Sequence, residues 1–284
     1  MMANRKLDMG SAWVQATGLI GANRDTIGAI AGLFFFLPSM ASALLVPGLS
    51  DPNQSAPPPG TDPEVVMQAM MDQMTAVYAE NWPILLALVA VQFIGSMSLF
   101  ALLTDRGNPT VGEALGTGLR SIPSYIAAQL LSVLAASLAI GIPLGVVSAM
   151  GGAAVSVLAV LVAIALTFYA AVKLSLIAPV IAIEGEHNPI TAIRRSWQLT
   201  KGNSFRILLF IALLILVIVV ISALVAGLVG VVLAAVGGTV ANIGNAIVGA
   251  LLNALLTVVF LVVTVSIHRQ LSGGTPEGLA QTFE

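Results

Sequence analysis

The fold is decided by residues 207–267, which read ILLFIALLILVIVVISALVAGLVGVVLAAVGGTVANIGNAIVGALLNALLTVVFLVVTVSI and contain no Asp, Glu, Lys, Arg or His. A helix of about 20 apolar residues crosses the core of a bilayer, so this stretch is long enough for two successive spans. Backbone amides and carbonyls in lipid need partners within the segment, which favours helices, whereas barrel strands would alternate apolar and polar residues. Only 8% of the chain is charged, against about a quarter in soluble domains. The sequence therefore predicts an all-α polytopic membrane protein.

Apolar segments bounded by charges and by Pro or Gly residues occur six times: residues 27–49, 83–103, 122–150, 153–183, 205–236 and 240–267. Each is long enough to span a bilayer, and the last four are long enough to tilt or to protrude. Gly28 and Gly32 have the spacing typical of close helix contacts in membranes, and so do Gly141 and Gly145. We predict a six-span membrane domain over residues 27–267, preceded by residues 1–26 and followed by a short tail, residues 268–284.

The basic residues are sorted to alternate connections between these spans. They precede span one, separate spans two and three and spans four and five, and follow span six: Arg5, Lys6, Arg24, Arg106, Arg120, Arg194, Arg195, Lys201, Arg206 and Arg269. Residues 50–82 have no Lys or Arg but carry Asp51, Asp62, Glu64, Asp72 and Glu80. Basic loops stay on the cytoplasmic side. Both termini are therefore predicted to be cytoplasmic and residues 50–82 extracytoplasmic, in a bacterial cytoplasmic (inner) membrane.

Short amphipathic helices are predicted at the cytoplasmic surface before spans one, three and five. Their apolar residues recur at helical spacing: Met9, Trp13, Ala16 and Ile20 in the first, Val111, Leu115, Leu119 and Ile122 in the second, and Ile190, Ile193 and Trp197 in the third, within residues 184–204. The Asn-Pro pairs at 108–109 and 188–189 are typical of helix starts. The chain is thus predicted to form three units, each an interfacial helix followed by a two-span hairpin.

The extracytoplasmic residues 50–82 begin with a proline-rich stretch and continue as an amphipathic helix from Asp62. One face of that helix is rich in methionine: Met67, Met70, Met71 and Met74. Thioethers suit Cu(I), which makes a copper site one hypothesis. Methionine also packs well on irregular apolar surfaces. We favour this second interpretation, in which the helix rests on the membrane or on the tops of the spans.

The most informative stretch joins span four to span five. It reads KLSLIAPVIAIE over residues 173–184 and NPITAIRRSWQLTKG over residues 188–202. A basic residue and a proline near the end of a span, then Glu, then Ala-x-x-x-Ser-Trp-x-Leu-Thr-x-Gly, resemble the bacterial glycerophosphoryl diester phosphodiesterase membrane-domain family and its YciC-like relatives. The matching residues are Lys173, Pro179, Glu184, Ala192, Ser196, Trp197, Leu199, Thr200 and Gly202.

The resemblance implies a membrane domain and does not bring an enzymatic activity with it. Some members of the family fuse this domain to a catalytic phosphodiesterase barrel, and no barrel is expected in the short stretch after Ile267. The chain has no cysteine and two histidines, and hydrolase and phosphate-binding motifs are missing from it. We therefore expect neither enzymatic activity nor a cofactor.

The basic residues around this motif support two interpretations. One hypothesis is that Arg194, Arg195, Lys201 and Arg206 recognise anionic lipid headgroups, with about 1 kcal/mol contributed by each charge near such a surface. The alternative is that they only anchor the interfacial helix and satisfy the charge rule for cytoplasmic loops. Lys173 is the one charge placed inside a span. Such a charge often marks a pathway or a partner site, but we favour a side chain that either reaches the surface or makes a structural contact.

Amide side chains lie at middle depth in three spans: Gln92, Gln129 and Asn253. They suit either a polar substrate path or hydrogen bonds between helices, and we favour the hydrogen bonds. No Asp or Glu is buried in a predicted span, which argues against proton-coupled transport. A continuous polar cavity containing one of the amides would favour transport.

The favoured function is a non-enzymatic inner-membrane protein that organises or senses membrane lipids through its basic cytoplasmic face. Membrane lipids are the expected partners, and no nucleic acid is expected. The alternative is a transporter or permease subunit for a lipid-like or amphipathic substrate. A third interpretation is a membrane subunit that serves a separate phosphodiesterase or lipid enzyme.

Overall fold

The computed structural model describes residues 6–46, 62–104 and 110–273, whose regular structure is entirely helical. The α-helices are α1 (Met9–Ala22), α2 (Arg24–Ala31), α3 (Leu37–Leu45), α4 (Pro63–Leu102), α5 (Val111–Ala136), α6 (Ile142–Met150), α7 (Ala153–Leu174), α8 (Ile177–Pro179), α9 (Pro189–Leu199), α10 (Ser204–Val236) and α11 (Gly238–Ser272). Short π-helical segments are Gly32–Phe36, Ser137–Gly141 and Val180–Glu184. Several sites of the sequence predictions lie outside the described residues: Arg5, Asp51, Arg106, Asn108, Pro109 and the proline-rich stretch.

Six helical segments of the described chain are long and apolar enough to cross a membrane: Arg24–Leu45, Glu64–Leu102, Val111–Met150, Ala154–Glu184, Ser204–Val236 and Gly238–Ser272. They coincide with the six predicted segments, so the prediction of an all-α multi-pass membrane protein is confirmed. Large apolar side chains project outward along them, for example Leu216, Val219 and Leu224 on α10. Lipid solvates such faces as well as protein does. The three-unit arrangement and the cytoplasmic termini stay predictions.

The helix that carries span two is longer than expected. The sequence predicts a methionine-rich helix before residue 83 and a separate span after it. In the structure the two are one helix, because α4 runs without interruption from Pro63 to Leu102, through Pro83. The second interfacial helix likewise has no end of its own, because α5 is continuous from Val111 through Ile122 to Ala136. The first and third interfacial helices, α1 and α9, are separate elements.

Proline accounts for two of the π-helical segments, Gly32–Phe36 and Ser137–Gly141. In both of them the wider turn closes just before a proline, where the Leu37 amide reaches Gly32 and the Ile142 amide reaches Ser137. Pro38 and Pro143 follow directly, and a proline has no amide hydrogen and crowds the carbonyl four residues earlier. A π-turn lets the helix continue past that defect.

The glycine pairs singled out by their spacing do not mark close contacts. A Cβ added at Gly28, Gly32, Gly141 or Gly145 would meet nothing within 4 Å. The prediction of close helix contacts at these four positions is therefore wrong for the described chain. A side chain would instead collide with Phe34 at Gly95, with the backbone of Ser98 at Gly118, and with Leu233 at Gly244.

The chain divides into two compact units: Met1–Arg24, Met97–Ile215 and Phe260–Glu284 in the first, and Asp25–Ser96 and Leu216–Val259 in the second. The first unit contains the family motif, and its N-terminal segment is tied to residues far along the chain. The Leu7 amide donates to Asn203 Oδ1 at 2.8 Å, and Arg206 Nη1 donates to the Leu7 carbonyl at 3.2 Å. Asp8 caps α1 by accepting the Ser11 amide at 3.0 Å. This backbone hydrogen bond lowers the pKa of the Asp8 carboxyl.

Candidate functional site

The motif residues Pro179 and Ser196 act together at a break in span four. Pro179 cannot donate an amide hydrogen and crowds the carbonyl of Ser175. Helix α7 ends at Leu174, just before this residue, and α8 begins at Ile177. The break leaves the Lys173 carbonyl and the Leu176 amide without helical partners. The hydroxyl of Ser196, on α9, donates to the Lys173 carbonyl at 2.7 Å and accepts the Leu176 amide at 3.3 Å. Ser196 is fully buried, so this bridge holds α9 against the broken span.

A charged cluster lies where span four ends. Both carboxylate oxygens of Glu184 accept hydrogen bonds from the Arg195 guanidinium, at 3.0–3.3 Å. On its other side Glu184 Oε1 lies 3.0 Å from Nε2 of His268, near the end of α11. The imidazole is 2% exposed and its Nδ1 has no hydrogen-bond partner among the described residues. Glu184 therefore joins α9 and α11 to the end of span four.

Lys173 lies between two aromatic rings and not at the surface. Its Nζ is 5.5 Å from the centre of the Tyr169 ring and 5.4 Å from that of Trp197, within range of a cation–π interaction. The rings themselves meet edge to face, with centres 6.0 Å apart. Lys173 is 3% exposed, and no carboxylate of the described chain lies within ion-pair distance of its ammonium group. Lys173 was expected either to reach the surface or to make a structural contact, and in the structure it makes the contact with the two rings.

Local sequence signals position the helix that carries Ser196 and Trp197. Asn188 caps α9 by accepting the amides of Ile190 and Thr191 at 3.0 and 3.3 Å. Glu186 supports the cap by accepting the Asn188 amide at 2.9 Å. At the other end Gly202 has a φ of 81°, a left-handed conformation that favours glycine. The turn it allows leads directly into α10.

The basic residues expected to contact headgroups have different roles. Arg194 and Lys201 are exposed, as the headgroup hypothesis requires. Arg195 is half-buried, and its guanidinium is paired with Glu184. Arg206 donates a hydrogen bond from Nη1 to the Leu7 carbonyl. Lys201 lies within electrostatic range of Lys173, so this end of the span concentrates positive charge.

Neither His268 nor Tyr169 was predicted as a site residue. His268 directly follows the charge-free stretch, and its ring is buried against Glu184. A signal for this contact exists, because spans four and six are predicted to end on the same side of the membrane. Tyr169 precedes Lys173 by one helical turn, the spacing at which side chains on a helix meet.

The three amide side chains that suit a polar path make different contacts. Gln129 is exposed and donates to the Tyr125 hydroxyl at 3.1 Å. Asn253 donates to Ser39 Oγ at 2.6 Å, a bond between α11 and α3. Gln92 is half-buried on α4. A cavity of about 400 Å³ between α6 and α7 is lined by apolar side chains and Thr167, and it contains none of the amides.

The motif between spans four and five lies within a longer stretch of the chain that matches a known protein family. Residues 138–272 match the family model described as the membrane domain of glycerophosphoryl diester phosphodiesterase. The family resemblance is confirmed. The matched range includes the whole site, from Tyr169 to His268, and the match is to the family's membrane domain and not to a catalytic domain. Comparisons with curated proteins and with solved structures gave no match.

Proposed function

We propose that this chain is a non-enzymatic multi-pass protein of a bacterial inner membrane that binds anionic lipid headgroups at Lys173. Because the rings of Tyr169 and Trp197 cover Lys173, the headgroup phosphate would reach its ammonium group, at the break in span four, when one of these partly exposed rings moves aside. Arg194 and Lys201 would supply further positive charge from the exposed side of α9 and the turn after it. Both termini and this site would face the cytoplasm, in agreement with the distribution of Lys and Arg.

The observation that carries the proposal is that no carboxylate among the described residues neutralises the charge of Lys173. A buried ammonium group is costly unless it is paired with an anion. The carboxylate of the motif, Glu184, is already engaged by Arg195 and His268. The two aromatic rings lower the cost of burial but carry no net charge. An anionic ligand would complete the site, and at the end of a membrane span the abundant anions are lipid phosphates.

The aromatic side chains also suit a site at the membrane surface. Trp197 and Tyr169 are 44% and 47% exposed, although each covers Lys173 with part of its ring. Trp and Tyr concentrate at the level of lipid headgroups, where an apolar ring and a polar tip are both solvated. Ile190, on the same helix, is also exposed. The exposed side of α9 is therefore apolar enough to dip into the interface while its cations remain at headgroup level.

Replacing Lys173 with methionine tests this proposal. Methionine fills similar space without the charge, so we expect the variant to fold, and to retain anionic lipid roughly tenfold less well than the unmodified protein. The measurement is native mass spectrometry of protein purified from nanodiscs that contain phosphatidylglycerol and phosphatidylcholine. Lys6→Gln, which removes an exposed lysine outside the site, serves as the control and should retain lipid normally. Equal retention of phosphatidylglycerol by Lys173→Met and the unmodified protein would overturn the proposal.

The transporter alternative gains no support from the amide residues. A continuous polar cavity through Gln92, Gln129 or Asn253 was the feature that would favour it. Gln129 and Asn253 are instead bonded to Tyr125 and Ser39. The lipid-binding proposal is therefore the one that the contacts of the described residues favour.

A further inference from the structure

Helix α4 is too long to lie wholly within a membrane. It has 40 residues, which at 1.5 Å per residue is about 60 Å, against about 30 Å for the hydrocarbon core. The uncharged residues that follow Glu80 are sufficient for the crossing. The N-terminal half of the helix, residues 63–82, therefore extends beyond the bilayer. We call its apolar face, defined by Met67, Met70, Met71, Met74, Tyr78 and Trp82, the methionine stripe.

The methionine stripe has no cover from the described chain. Each of its six side chains is between 50% and 65% exposed. At 100° per residue the six fall on about one third of the helix circumference. Its C-terminal part forms a shallow groove of about 620 Å³, lined by Met71, Met74, Thr75, Tyr78, Ala79 and Trp82. A contiguous apolar surface of this kind in water marks an interaction site.

The charge around the stripe identifies the chemistry of the partner. Asp62, Glu64, Asp72 and Glu80 are all exposed, and residues 62–104 contain no Lys, Arg or His. A second copy of this helix and an anionic lipid surface both carry charge of the same sign as this segment, so long-range repulsion disfavours either of them as the partner. A helix that lay along the membrane would also need a break near Pro83, where α4 is continuous.

We infer that the methionine stripe is a docking surface for a basic amphipathic helix of another protein. Flexible methionine side chains adapt to a range of apolar partners, and an apolar helix face in such a groove is a common mode of peptide recognition. Glu64 lies at the edge of the stripe, where it would meet a Lys or Arg that flanks the partner's apolar face, and Asp72 and Glu80, farther round the helix, add to the negative field of the segment. The acidic charges accelerate association and select the partner, and the apolar stripe supplies most of the affinity.

The test measures binding of a fluorescent amphipathic peptide of leucine and lysine to the full chain in phosphatidylcholine nanodiscs. A peptide with glutamate in place of each lysine is the comparison probe, and empty nanodiscs give the lipid background. The variant Met71→Ser/Met74→Ser/Tyr78→Ser should bind the basic peptide at least about tenfold more weakly than the unmodified protein. The matched control Ala69→Ser/Ala76→Ser, which changes the opposite face of the same helix, should bind within about twofold.

Several outcomes would overturn the inference. Binding of the basic peptide no stronger than to empty nanodiscs, equal binding of both peptides, or unchanged binding by the serine variant would each do so. Loss of a dimer in the serine variant would show that a second copy covers the stripe. Quenching of a fluorophore at Met74→Cys by brominated lipid would show that the membrane covers it. Circular dichroism of the variants should show unchanged helix content, and a loss of helix would count against the stripe as an independent surface.

Discussion

Replacing Glu184 with glutamine is expected to lower the midpoint of thermal unfolding by roughly 5 °C, corresponding to about 2 kcal/mol. The substitution keeps the shape of the side chain but removes the charge that both Arg195 and His268 face. Removing one partner of a buried ion pair costs about 3–5 kcal/mol. A quarter of the Glu184 side chain is exposed, so solvent screening reduces the expected cost. The measurement is thermal unfolding of the purified protein in detergent, followed by circular dichroism.

Glu186→Gln is the matched control for Glu184→Gln, because it removes a carboxylate two residues away. Within the described part of the chain, Glu186 accepts the amide of Asn188 alone, a bond that a glutamine oxygen can also accept. Its midpoint should therefore move by about 1 °C or less. Arg195→Gln should cost less when Glu184 is already glutamine, because the two residues share one interaction. Equal midpoints for Glu184→Gln and the unmodified protein would show that this cluster does not hold the helices together.

Ser196→Ala is the second large expected loss, at about 3 kcal/mol of unfolding free energy. The serine hydroxyl satisfies the Lys173 carbonyl and the Leu176 amide at the break made by Pro179. A buried backbone group that loses its partner costs about 1–3 kcal/mol. Because Trp197 follows Ser196 directly, loosening α9 should also weaken the contact of its ring with Lys173. Denaturant unfolding gives the first effect, and the Lys173 lipid-retention assay gives the second.

The control for Ser196→Ala is Ser175→Ala, which removes a serine at the same break. The Ser175 hydroxyl donates to the Val172 carbonyl, which also accepts the Ser175 amide. No backbone group loses its last partner, so the cost should stay below about 1 kcal/mol. A similar loss in the two variants would mean that Ser196 contributes only as an ordinary small side chain.

The spans could be predicted from the sequence because each depends on local composition. The charge-free residues 207–267 are long enough to define α10 and α11 without any knowledge of packing. Helix continuity was harder to predict. Pro83 and the polar residues before it suggested a boundary in α4, but a proline that keeps its neighbours in helical geometry does not end a helix.

The site was only partly predictable, because its contacts join residues that are distant in the sequence. The motif drew attention to Lys173, Pro179, Glu184 and Ser196, yet spacing along one helix excluded only a direct Lys173–Glu184 pair. The true partner of Glu184 across the fold, His268, lies 84 residues away. No periodicity specifies such a contact. It follows from which span ends meet, and this depends on tertiary packing.

A cytoplasmic lipid site at Lys173 requires the predicted sidedness of the chain, which single-cysteine labelling measures cleanly because the native sequence has no cysteine. Thr75→Cys on α4 and His187→Cys in the turn before α9 are both at exposed positions, and three predicted spans separate them. In intact cells a membrane-impermeant maleimide should label Thr75→Cys alone, and His187→Cys should react only after the membrane is permeabilised. Labelling of His187→Cys in intact cells, or equal labelling of both positions, would contradict a cytoplasmic basic site at the end of span four.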